Sequence, residues 1–541
     1  MNSPNETPVT DADIAATPAA PAVSRLKGAR VLILGLGASG LAMARWCSRE
    51  GAQVSVWDSR QDPPQSAALA QDCPAAERLS GDLSLDVLDG VQWLLKSPGL
   101  APADTRLAAL WEAAQARGLR TGGELDIFVL ALAELKASTG YAPQILAITG
   151  TNGKTTTTAL TALLVERAGR TAVAAGNIGP SLLDSLLACI TSEALPQVWV
   201  LELSSFQLAD MASNPVVDNG FAPSAAVVLN LTQDHLDWHG DMARYGQAKA
   251  RVFGPQGTMV INRDDPLVCA MEPAEVAVKL PKGAPRPVPR VVVRYGLDAP
   301  QRPGDFGLIE EAGMAWLVRA LPVDETLRRR KGDPADELHL QRLMPADALR
   351  LRGRHNAGNA LAALALATAI GCPLAPMLHG LREYQGEPHR VEFVAGIGGV
   401  EAFDDTKGTN VGATVAAIQG LGAERAPNRL VLILGGDGKG QCFDPLLSPV
   451  QQHVRAVALI GRDAPVIREA LRPALAAGIP MQDHGSLEAA TRWCFEQARP
   501  GDAVLLSPAC ASLDMFRNYV HRGEVFVQTV HALAAEQGAV A

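Results

Sequence analysis

Short apolar runs, each about the length of one strand, alternate with longer stretches of helical spacing along most of the chain. Examples of the apolar runs are "VLILG", "QILAIT", "VWVLEL" and "RLVLILGG". Runs of this kind indicate parallel strands that helices cover on both faces. Because the alternation starts afresh three times, the sequence predicts three α/β domains at residues 26–142, 143–387 and 388–541.

Two segments depart from this pattern. Residues 1–25 are rich in Ala, Pro and Thr, and we predict that they form a disordered tail. Residues 273–345 contain many prolines and the charged run "RRRKGD" from Arg328. We expect an extended insertion there, within the central domain, with some edge strands and a mobile loop.

Composition narrows the functional class. The chain has 541 residues, 48% of them hydrophobic, and a net charge of -9, which argues against nucleic acid as a main partner. Its eight cysteines are scattered without a CxxC pair, as in proteins of the cytosol. No signal peptide opens the chain, and no apolar run is long enough to span a bilayer. We therefore predict a cytoplasmic protein without membrane insertion.

The stretch "AITGTNGKTTTTALTALL" combines a buried strand, a glycine loop and a helix. Backbone N–H groups at such a helix N-terminus bind phosphate, Lys154 can reach the outer phosphates, and Thr155 can ligate Mg²⁺. The strict GxxxxGK[ST] motif requires glycine where this chain has Ile148. The pattern therefore favours a nucleoside triphosphate site, and the alternative is an incidental Gly-Lys-Thr turn.

Ionisable residues follow two of the later apolar runs. Glu202 interrupts "VWVLELSSF", where it could bind Mg²⁺ or simply face solvent at a strand end. Asn230, Asp234 and His235 follow "SAAVVL", at the edge of the sheet where ligands of open α/β sheets bind. They predict a metal or phosphate site, whereas Lys249, on the next helix, has the pattern of a solvated surface charge.

An earlier glycine motif, "GLGASG", follows a strand and is typical of dinucleotide sites. Gly35, Gly37 and Gly40 have GxGxxG spacing, and Asp58 ends the next strand. The physical requirement is a diphosphate held at a helix N-terminus, which NAD and a UDP-sugar satisfy equally well. A glycine-rich turn for close strand–helix packing is the remaining alternative.

The last third of the chain contains several weak signals for a small anionic ligand. Asp405, Lys407 and Thr409 alternate in "DDTKGTN", so an extended segment would point them to one side. Lys439 lies in the flexible "GGDGKG", and "LLSPACASLD" brings Ser512 towards a helix. Together these residues predict a binding site at the strand ends of the third domain.

In their order along the chain, these segments resemble the motifs of the Mur ligases, ATP-dependent amide-forming enzymes of peptidoglycan synthesis. The resemblance covers nearly the whole chain after the tail, through "TGTNGKTT", "GNIG", "LELSSFQL", "LTQDHLDWHG", "RHNAGNALAA", "EPHRVE" and "DDTKGTNVGAT". "GGDGKG" and "LLSPACASLDMF" are similar to the D-glutamate-adding branch, and the DNPR-type motif of the diaminopimelate-adding branch is absent.

The resemblance implies a fold and a reaction. The fold has a Rossmann-like N-terminal domain that binds UDP without nicotinamide, a central P-loop-type ATPase domain with a mainly parallel sheet, and a Rossmann-like C-terminal domain. The reaction joins D-glutamate to UDP-N-acetylmuramoyl-L-alanine through an acyl phosphate and a tetrahedral intermediate. It consumes ATP, requires Mg²⁺ as two ions, and is carried out in the cytoplasm by a monomer.

The resemblance also implies roles for individual residues. The catalytic residues are Lys154, Glu202, His235 and Lys249. Magnesium would be held by Thr155, Glu202, His235 and Lys249, the last as a carbamate formed with CO₂. ATP would be bound by Gly150, Thr151, Asn152, Gly153, Lys154, Thr155, Thr156, Asn356, Asn359, Arg390 and Asp405. The UDP-linked substrate would contact Ala38, Ser39, Asp58, Ser59, Arg60, Ser97 and Asn177. D-Glutamate would contact Lys407, Thr409, Lys439, Ser512 and Tyr519, the last of which is phenylalanine in the family.

Three other functions compete with this prediction. A folylpolyglutamate-synthase-like ligase would share the ATP loop and the third domain, but would lack the domain that carries "GLGASG". A nicotinamide oxidoreductase would leave "TGTNGKTT" and Glu202 without a role. A non-catalytic nucleotide-binding regulator does not explain why every catalytic position carries a residue like that of the family.

Overall fold

The computed structural model describes residues 24–101, 104–177, 179–211, 220–273, 290–323, 337–351 and 353–537. The predicted tail, apart from its last two residues, lies outside the described residues. The same is true of residues 274–289 and of the basic run at 328–333. The described part of the chain forms three sheets, each with helices packed on its faces.

The first sheet has five parallel strands in the spatial order β3-β2-β1-β4-β5. Its strands are β1 Arg30–Leu34, β2 Gln53–Trp57, β3 Glu77–Leu79, β4 Trp93–Lys96 and β5 Arg120–Gly122. Its helices are α1 Ala38–Arg49, α2 Ser66–Asp72, α3 Thr105–Ala116 and α4 Glu124–Thr139. The strand order reverses between β1 and β4, and a crevice at such a switch point is where doubly wound sheets bind ligands.

The second sheet has nine strands in the order β14-β13-β12-β11-β10-β9-β6-β8-β7. Its strands are β6 Gln144–Thr149, β7 Ala172–Gly176, β8 Val198–Glu202, β9 Ala225–Val228, β10 Thr258–Asn262, β11 Val292–Tyr295, β12 Phe306–Glu311, β13 Met314–Pro322 and β14 Leu338–Pro345. Its helices are α5 Lys154–Arg167, α6 Leu182–Thr191, α7 Ser205–Asp210, α8 Leu236–His239, α9 Met242–Ala250, α10 Pro266–Cys269, α11 Arg354–Ala369 and α12 Leu374–Glu383.

Most pairs in this sheet are parallel, and the exceptions lie at one edge. Strands β12, β13 and β14 pair in antiparallel fashion. They come from the segment predicted as an insertion, whose described residues therefore extend the sheet. The alanine-rich helix α11 is buried along almost its whole length, because its small side chains let it lie close to the sheet and to α5.

The third sheet has six strands in the order β15-β16-β20-β17-β18-β19 and is parallel except for the β15–β16 pair. Its strands are β15 Glu392–Ile397, β16 Val400–Asp404, β17 Leu430–Gly435, β18 Val454–Ile460, β19 Met481–Asp483 and β20 Ala503–Leu506. Its helices are α13 Val411–Arg425, α14 Leu447–His453, α15 Ala464–Ala470, α16 Arg472–Ala476, α17 Leu487–Gln497 and α18 Tyr519–Glu536.

The α/β class with mainly parallel sheets is confirmed. Apolar packing joins the first two units, because α1 and α4 both contact α6 within one continuous hydrophobic cluster. None of the described helices combines the length and the apolar character needed to cross a membrane.

Candidate active site

The glycine loop after β6 leads directly into α5, so that it lies at the N-terminus of a helix. Gly153, the residue before α5, has φ 84°, a left-handed conformation that favours glycine. The end of β9 holds the loop: Thr151 N donates to Asn230 O at 2.9 Å, and Asn152 N donates to Asn230 Oδ1 at 2.8 Å. A fixed loop with free helical N–H groups beyond it is suited to an anion.

The ammonium group of Lys154 lies over this loop. Its Nζ donates to the carbonyl oxygens of Gly150 and Thr151, at 2.8 Å in each case. Burial lowers the pKa of Lys154, while the carboxylates of Glu202 and Asp234 act in the opposite direction. A phosphate that entered the loop would offer this lysine stronger, charge-assisted hydrogen bonds than the two carbonyls do.

Glu202 ends β8 beside the loop, and only 3% of its surface is exposed. The alternative that it faces solvent at a strand end is therefore wrong. Its Oε1 accepts a hydrogen bond from Asn177 Nδ2 at 3.1 Å, which connects the loop after β7 to the same site. No charged donor to this carboxylate is found among the described residues, and a buried carboxylate with only a neutral donor is a good ligand for a cation.

Asp234 and His235 follow β9 on the other side of the loop. His235 Nε2 lies 3.5 Å from Asp234 Oδ2, and its ring packs edge-on against Phe206, with 4.7 Å between the ring centroids. Burial lowers the pKa of His235, although Asp234 opposes this effect, so that the imidazole is neutral near pH 7. Asp234 Oδ1 also accepts a hydrogen bond from Lys439 Nζ of the third sheet, at 3.0 Å.

Lys249 is buried in α9, with 1% of its surface exposed, so the prediction of a solvated surface charge is wrong. Its Nζ donates to Gly150 O at 2.8 Å and lies 4.7 Å from the centroid of the Tyr245 ring. Burial, and then the nearby charge of Lys154, hold the pKa of Lys249 well below its ordinary value. The burial of Lys249 could not be predicted from the sequence, because the residues that cover it, such as Gly150, are distant from it along the chain.

The glycine loop of the first sheet is held by side chains from the neighbouring strands. Asp58 Oδ2 accepts from Leu36 N at 2.7 Å, and Ser97 Oγ donates to Gly35 O at 2.8 Å. A Cβ on Gly40 would lie 1.9 Å from Gly35 O, so only glycine allows this approach of helix and loop.

Other residues predicted for the UDP-linked substrate surround this loop. The Arg60 side chain donates to the Asp58 carboxylate and is the main reason why the pKa of Asp58 is lowered to about 2. Ala38 and Ser39 begin α1, and the Ser39 hydroxyl hydrogen-bonds the buried carboxylate of Glu124. Ser59 is exposed, and Asn177 lies apart from this group, beside Glu202.

A cavity lies between the phosphate loop and the third sheet. Its lining includes Asn152, Gly153, Thr156, Asn356, Asn359, Arg390, Asp405 and Lys407. The structure thus brings together most of the residues predicted for ATP. Arg390 Nη2 donates to Thr155 Oγ1 at 2.6 Å, and Asn359 Nδ2 donates to Asn356 Oδ1 at 2.9 Å. Burial raises the pKa of Asp405 to about 7.

The segment "DDTKGTN" is a turn, and the prediction that it is extended is wrong. Strand β16 ends at Asp404, after which Gly408 N donates to Asp405 O at 2.8 Å and Thr409 N donates to Lys407 O at 2.8 Å. The alternation of polar residues therefore does not place them on one side of a strand. Glycine at position 408 favours the turn, because a Cβ there would lie 2.7 Å from the Asp405 carboxylate.

The residues predicted for D-glutamate lie around this turn. Lys407 Nζ lies 3.7 Å from the centroid of the Tyr519 ring, a distance at which a cation is attracted to an aromatic face. Ser512 is buried beyond the end of β20, and Thr409 is half-buried. Lys439 is turned towards Asp234 of the central unit.

The sequence did not single out Asn410 or Arg522. Asn410 caps α13 through a hydrogen bond from Ala413 N, and it exchanges two hydrogen bonds with Asn152 of the phosphate loop, at 2.9 and 3.2 Å. An asparagine before a helix is a recognisable N-cap, but its contact with a distant loop is not. Arg522, in the first turns of α18, is completely buried.

Family models match most of the described chain. The MurD-like N-terminal domain of Mur ligases matches residues 29–118, the Mur ligase middle domain matches residues 148–280, and the Mur ligase glutamate ligase domain matches residues 389–510. The first match contains β1 to β4, the middle match contains the end of β6 and β7 to β10, and the last match contains all six strands of the third sheet.

Proteins of known name are similar over almost the entire chain. UDP-N-acetylmuramoylalanine–D-glutamate ligase of Albidiferax ferrireducens is 58% identical over 96% of this chain and 99% of its own. The protein of the same name from Burkholderia pseudomallei is 56% identical over 94% of this chain and 98% of its own.

Solved structures share the fold at much lower identity. UDP-N-acetylmuramate–alanine ligase of Thermotoga maritima superposes with a TM-score of 0.52 at 18% identity, over 93% of this chain and 99% of its own. The MurF ligase of Thermotoga maritima, solved in complex with ADP, gives 0.53 at 15% identity, over 96% and 97% of the two chains. On the domain matches and on the identity to its relatives, the chain belongs to the Mur ligase family.

Proposed function

We propose that this protein joins D-glutamate to UDP-N-acetylmuramoyl-L-alanine with the hydrolysis of ATP to ADP and phosphate. The observation that carries the proposal is the cavity that the phosphate loop of the central sheet shares with the turn after β16 of the third sheet. The first sheet carries a second glycine loop at the start of α1. The name shared by relatives at 56–58% identity specifies the amino acid and the acceptor.

The proposed architecture follows the three sheets. The UDP-binding domain is residues 26–142, the ATP-binding domain is 143–387 with its insertion at 273–345, and the amino-acid-binding domain is 388–541. The net charge of -9 and the resemblance to the family support a cytoplasmic monomer that binds small molecules rather than nucleic acid.

The phosphate loop fits a nucleoside triphosphate. A Cβ on Gly153 would lie 2.5 Å from Asn359 Oδ1, so the loop keeps a narrow space that a side chain would fill. We assign the phosphates to the loop residues 150–156 and the rest of the nucleotide to Asn356, Asn359, Arg390 and Asp405, all of which line one cavity with Gly153.

A Mg²⁺ ion fits the donors beside the loop. The hydroxyl of Thr155, the carboxylate of Glu202 and the imidazole of His235 would supply its ligands, with one buried negative charge among them. Thr155 Oγ1 would first have to be released from its hydrogen bond with Arg390. When bound, Mg²⁺ neutralises charge on the transferring phosphoryl oxygens. Lys154 adds a fixed positive charge to the same region, which stabilises charge that develops there.

We assign Lys249, in the form of a carbamate, as the fourth metal ligand beside the phosphate loop. Burial lowers the pKa of Lys249, so its amine is more readily unprotonated than that of an exposed lysine, and the unprotonated amine is the form that combines with CO₂. The carbamate is anionic and replaces a buried ammonium ion by a carboxylate-like ligand for a second Mg²⁺. Its nearest polar neighbour, Gly150 O at 2.8 Å, belongs to the phosphate loop itself.

The reaction needs an activated carboxylate, since a carboxylate ion is a poor acyl donor. The terminal carboxylate of the UDP-linked substrate attacks the γ-phosphorus of ATP, and the bond between the γ-phosphorus and the bridging oxygen breaks to release ADP. The amine of D-glutamate then attacks the acyl phosphate, and the tetrahedral intermediate expels phosphate. Lys154 holds the phosphoryl oxygens during both steps.

We assign the two remaining substrates to residues of different sheets. Ala38, Ser39, Asp58, Ser59, Arg60 and Ser97 hold the uridine nucleotide, and Asn177 is assigned to the far end of that substrate because it contacts Glu202 of the proposed metal site. Lys407, Thr409, Lys439, Ser512 and Tyr519 hold D-glutamate. The two lysines are the natural partners of its carboxylates.

Release of phosphate from ATP tests this function directly. The assay contains Mg²⁺ and UDP-N-acetylmuramoyl-L-alanine, and the amino acid is omitted or exchanged. We expect turnover with D-glutamate and none with L-glutamate, diaminopimelate or L-alanine. Release that needs no UDP-linked acceptor, or that prefers a folate acceptor, would contradict the proposal and favour a folylpolyglutamate-synthase-like ligase.

A further inference from the structure

Arg522 is a completely buried arginine whose charge has no role in the chemistry described above. It lies in the second turn of α18, and its exposed fraction is 0%. A buried guanidinium group is costly unless its donors are satisfied, so its partners indicate what it stabilises.

Within the described residues, every hydrogen bond from the Arg522 side chain goes to one of two loops. Nε donates to Thr406 Oγ1 at 2.8 Å and Nη2 donates to Thr406 O at 2.9 Å. Nη1 and Nη2 both donate to Cys510 O at 3.1 Å, and Nη1 also reaches Ala511 O at 3.4 Å. The planar fork of the side chain thus connects the turn after β16 with the segment after β20.

These two loops carry most of the residues assigned to D-glutamate. Thr406 directly precedes Lys407, and Ala511 directly precedes Ser512. The same two loops also meet through the backbone, where Ala509 N donates to Gly408 O at 2.9 Å, and through Ser507 Oγ, which donates to Asp405 Oδ2 at 2.7 Å. The guanidinium group adds contacts at Thr406 and Ala511, directly beside Lys407 and Ser512, and so restricts the relative position of these two residues.

The first residue of α18 holds the same turn. The ring of Tyr519 lies beneath Lys407 Nζ at 3.7 Å, and its carbonyl oxygen accepts from Thr406 Oγ1 at 3.2 Å. Tyr519 and Arg522 are three residues apart and hence on one face of the helix. On this face of the helix, Tyr519 contacts Lys407 and Arg522 contacts Thr406, the two adjacent residues of the turn.

The charge of Arg522 is retained at neutral pH. Burial lowers its pKa to about 10, and the neighbouring acids Asp404, Asp405 and Asp514 act against that effect. None of these acids is hydrogen-bonded to the guanidinium group in the part of the chain that the structure describes. The positive charge consequently adds to the potential of a site for an amino acid with two carboxylate groups.

We propose that Arg522 is a positioning residue for D-glutamate, which ties the turn 405–409 to the segment 508–512 so that Lys407 and Ser512 form one binding site. The inference rests on the proposed function, and it goes further by assigning the shape of the amino-acid subsite to a residue that does not contact the ligand.

Two conservative variants test the proposal through the separate KM values of the three substrates. Arg522→Lys keeps the charge but loses the fork, and Thr406→Val removes the hydroxyl group that accepts from Nε. For both we expect the KM for D-glutamate to rise about tenfold or more, as for the loss of hydrogen bonds to a charged group. The KM for the UDP-linked substrate, whose assigned residues lie mainly in the first sheet, should stay within about twofold. The KM for ATP should rise less than that for D-glutamate, because Asp405 of the same turn keeps its hydrogen bond from Ser507 Oγ.

Arg455→Lys is the matched control in the same domain. Arg455 Nη2 donates to Asp502 Oδ1 at 3.1 Å, before the start of β20 and so at the opposite end of the sheet. This variant should lower the thermal unfolding temperature without a change in the KM for D-glutamate. Amide hydrogen exchange should accelerate at 405–412 and 508–514 in Arg522→Lys, and not in Arg455→Lys.

The outcomes distinguish a failure of the positioning role of Arg522 from a failure of the proposed function. An unchanged KM for D-glutamate in folded Arg522→Lys and Thr406→Val, or an equal rise for all three substrates, would overturn the positioning role. Failure of the unmodified protein to use D-glutamate would instead overturn the proposed function. Because the exchange measurement needs no turnover, unchanged exchange in both loops would refute the contribution of Arg522 to their connection, independently of activity.

Discussion

The amine of Lys249 lies among Gly150, Thr149 and Tyr245 and is sealed from solvent. If its carbamate is a metal ligand, Lys249→Ala should lower kcat by about a hundredfold, as the loss of a group that supports a metal does. Acetate should restore part of the activity, because it supplies a carboxylate to the vacated space. Lys136→Ala, on the exposed last turn of α4, is the control.

A second readout for Lys249 does not depend on turnover. Protein equilibrated with carbon-13-labelled CO₂ should show a carbamate carbonyl resonance by NMR, and Lys249→Ala should lack it. Full activity of Lys249→Ala without added carboxylate would rule out the carbamate.

The charge of Lys407 predicts how binding of D-glutamate depends on pH. Burial, with a further contribution from Arg390, lowers the pKa of Lys407 to about 8. The cation that attracts a carboxylate is therefore present below pH 8 and is lost above it. The KM for D-glutamate should rise above pH 8, by up to about tenfold for each further pH unit. Lys407→Arg should remove this rise because arginine stays charged, and a constant KM across pH 8 in the unmodified protein would contradict the assignment.

At the scale of elements, the phosphate loop depends on the conformation of Gly153. Gly153→Ala should raise the KM for ATP, since the new methyl group is strained at φ 84° and meets Asn359. Gly169→Ala is a matched control: φ is 85°, and no atom lies within 4 Å of a Cβ there. Both variants carry a backbone strain of about 1–2 kcal/mol, and the contact with Asn359 adds to the loss of stability at Gly153. A rise in the KM for ATP is expected only at Gly153. A normal KM for ATP in Gly153→Ala would show that the narrow space is not needed.

The elements themselves were largely predictable. Runs such as "RLVLILGG" and "DAVLLSP" form β17 and β20, because a parallel strand covered on both faces must be apolar throughout. The turn after β16 was not predictable, since alternating polar residues are compatible with a turn as well as with a strand. The burial of Lys249 and Arg522 was not predictable either, because a single charge on a helix has the same local pattern whether it faces solvent or a distant loop.

At the scale of the whole molecule, contacts between the central and third units close the nucleotide cavity. Asn410 and Asn152 exchange hydrogen bonds, Arg390 donates to Thr155, and Lys439 pairs with Asp234. These contacts join residues more than 200 positions apart, so the sequence could assign each side chain to a motif but not to its partner across the cleft.

Asn410→Ser tests the contribution of this closure. Serine keeps the N-cap of α13 but cannot exchange two hydrogen bonds with Asn152, so we expect little loss of stability and a rise in the KM for ATP of about tenfold. In a double-mutant cycle with Asn152→Ala, the double variant should be no worse than the poorer single one. Additive effects would show that the pair does not act across the cleft.

The path of oxygen from substrate to phosphate tests the account most directly. The terminal carboxylate of UDP-N-acetylmuramoyl-L-alanine is labelled with oxygen-18, and the phosphate released in the presence of ATP and D-glutamate is analysed by mass spectrometry. Because the carboxylate attacks the γ-phosphorus and the acyl–oxygen bond later breaks, we predict one labelled oxygen in each phosphate and one in the new amide carbonyl. Phosphate that contains no label, with D-glutamate nevertheless joined to the acceptor, would contradict the account.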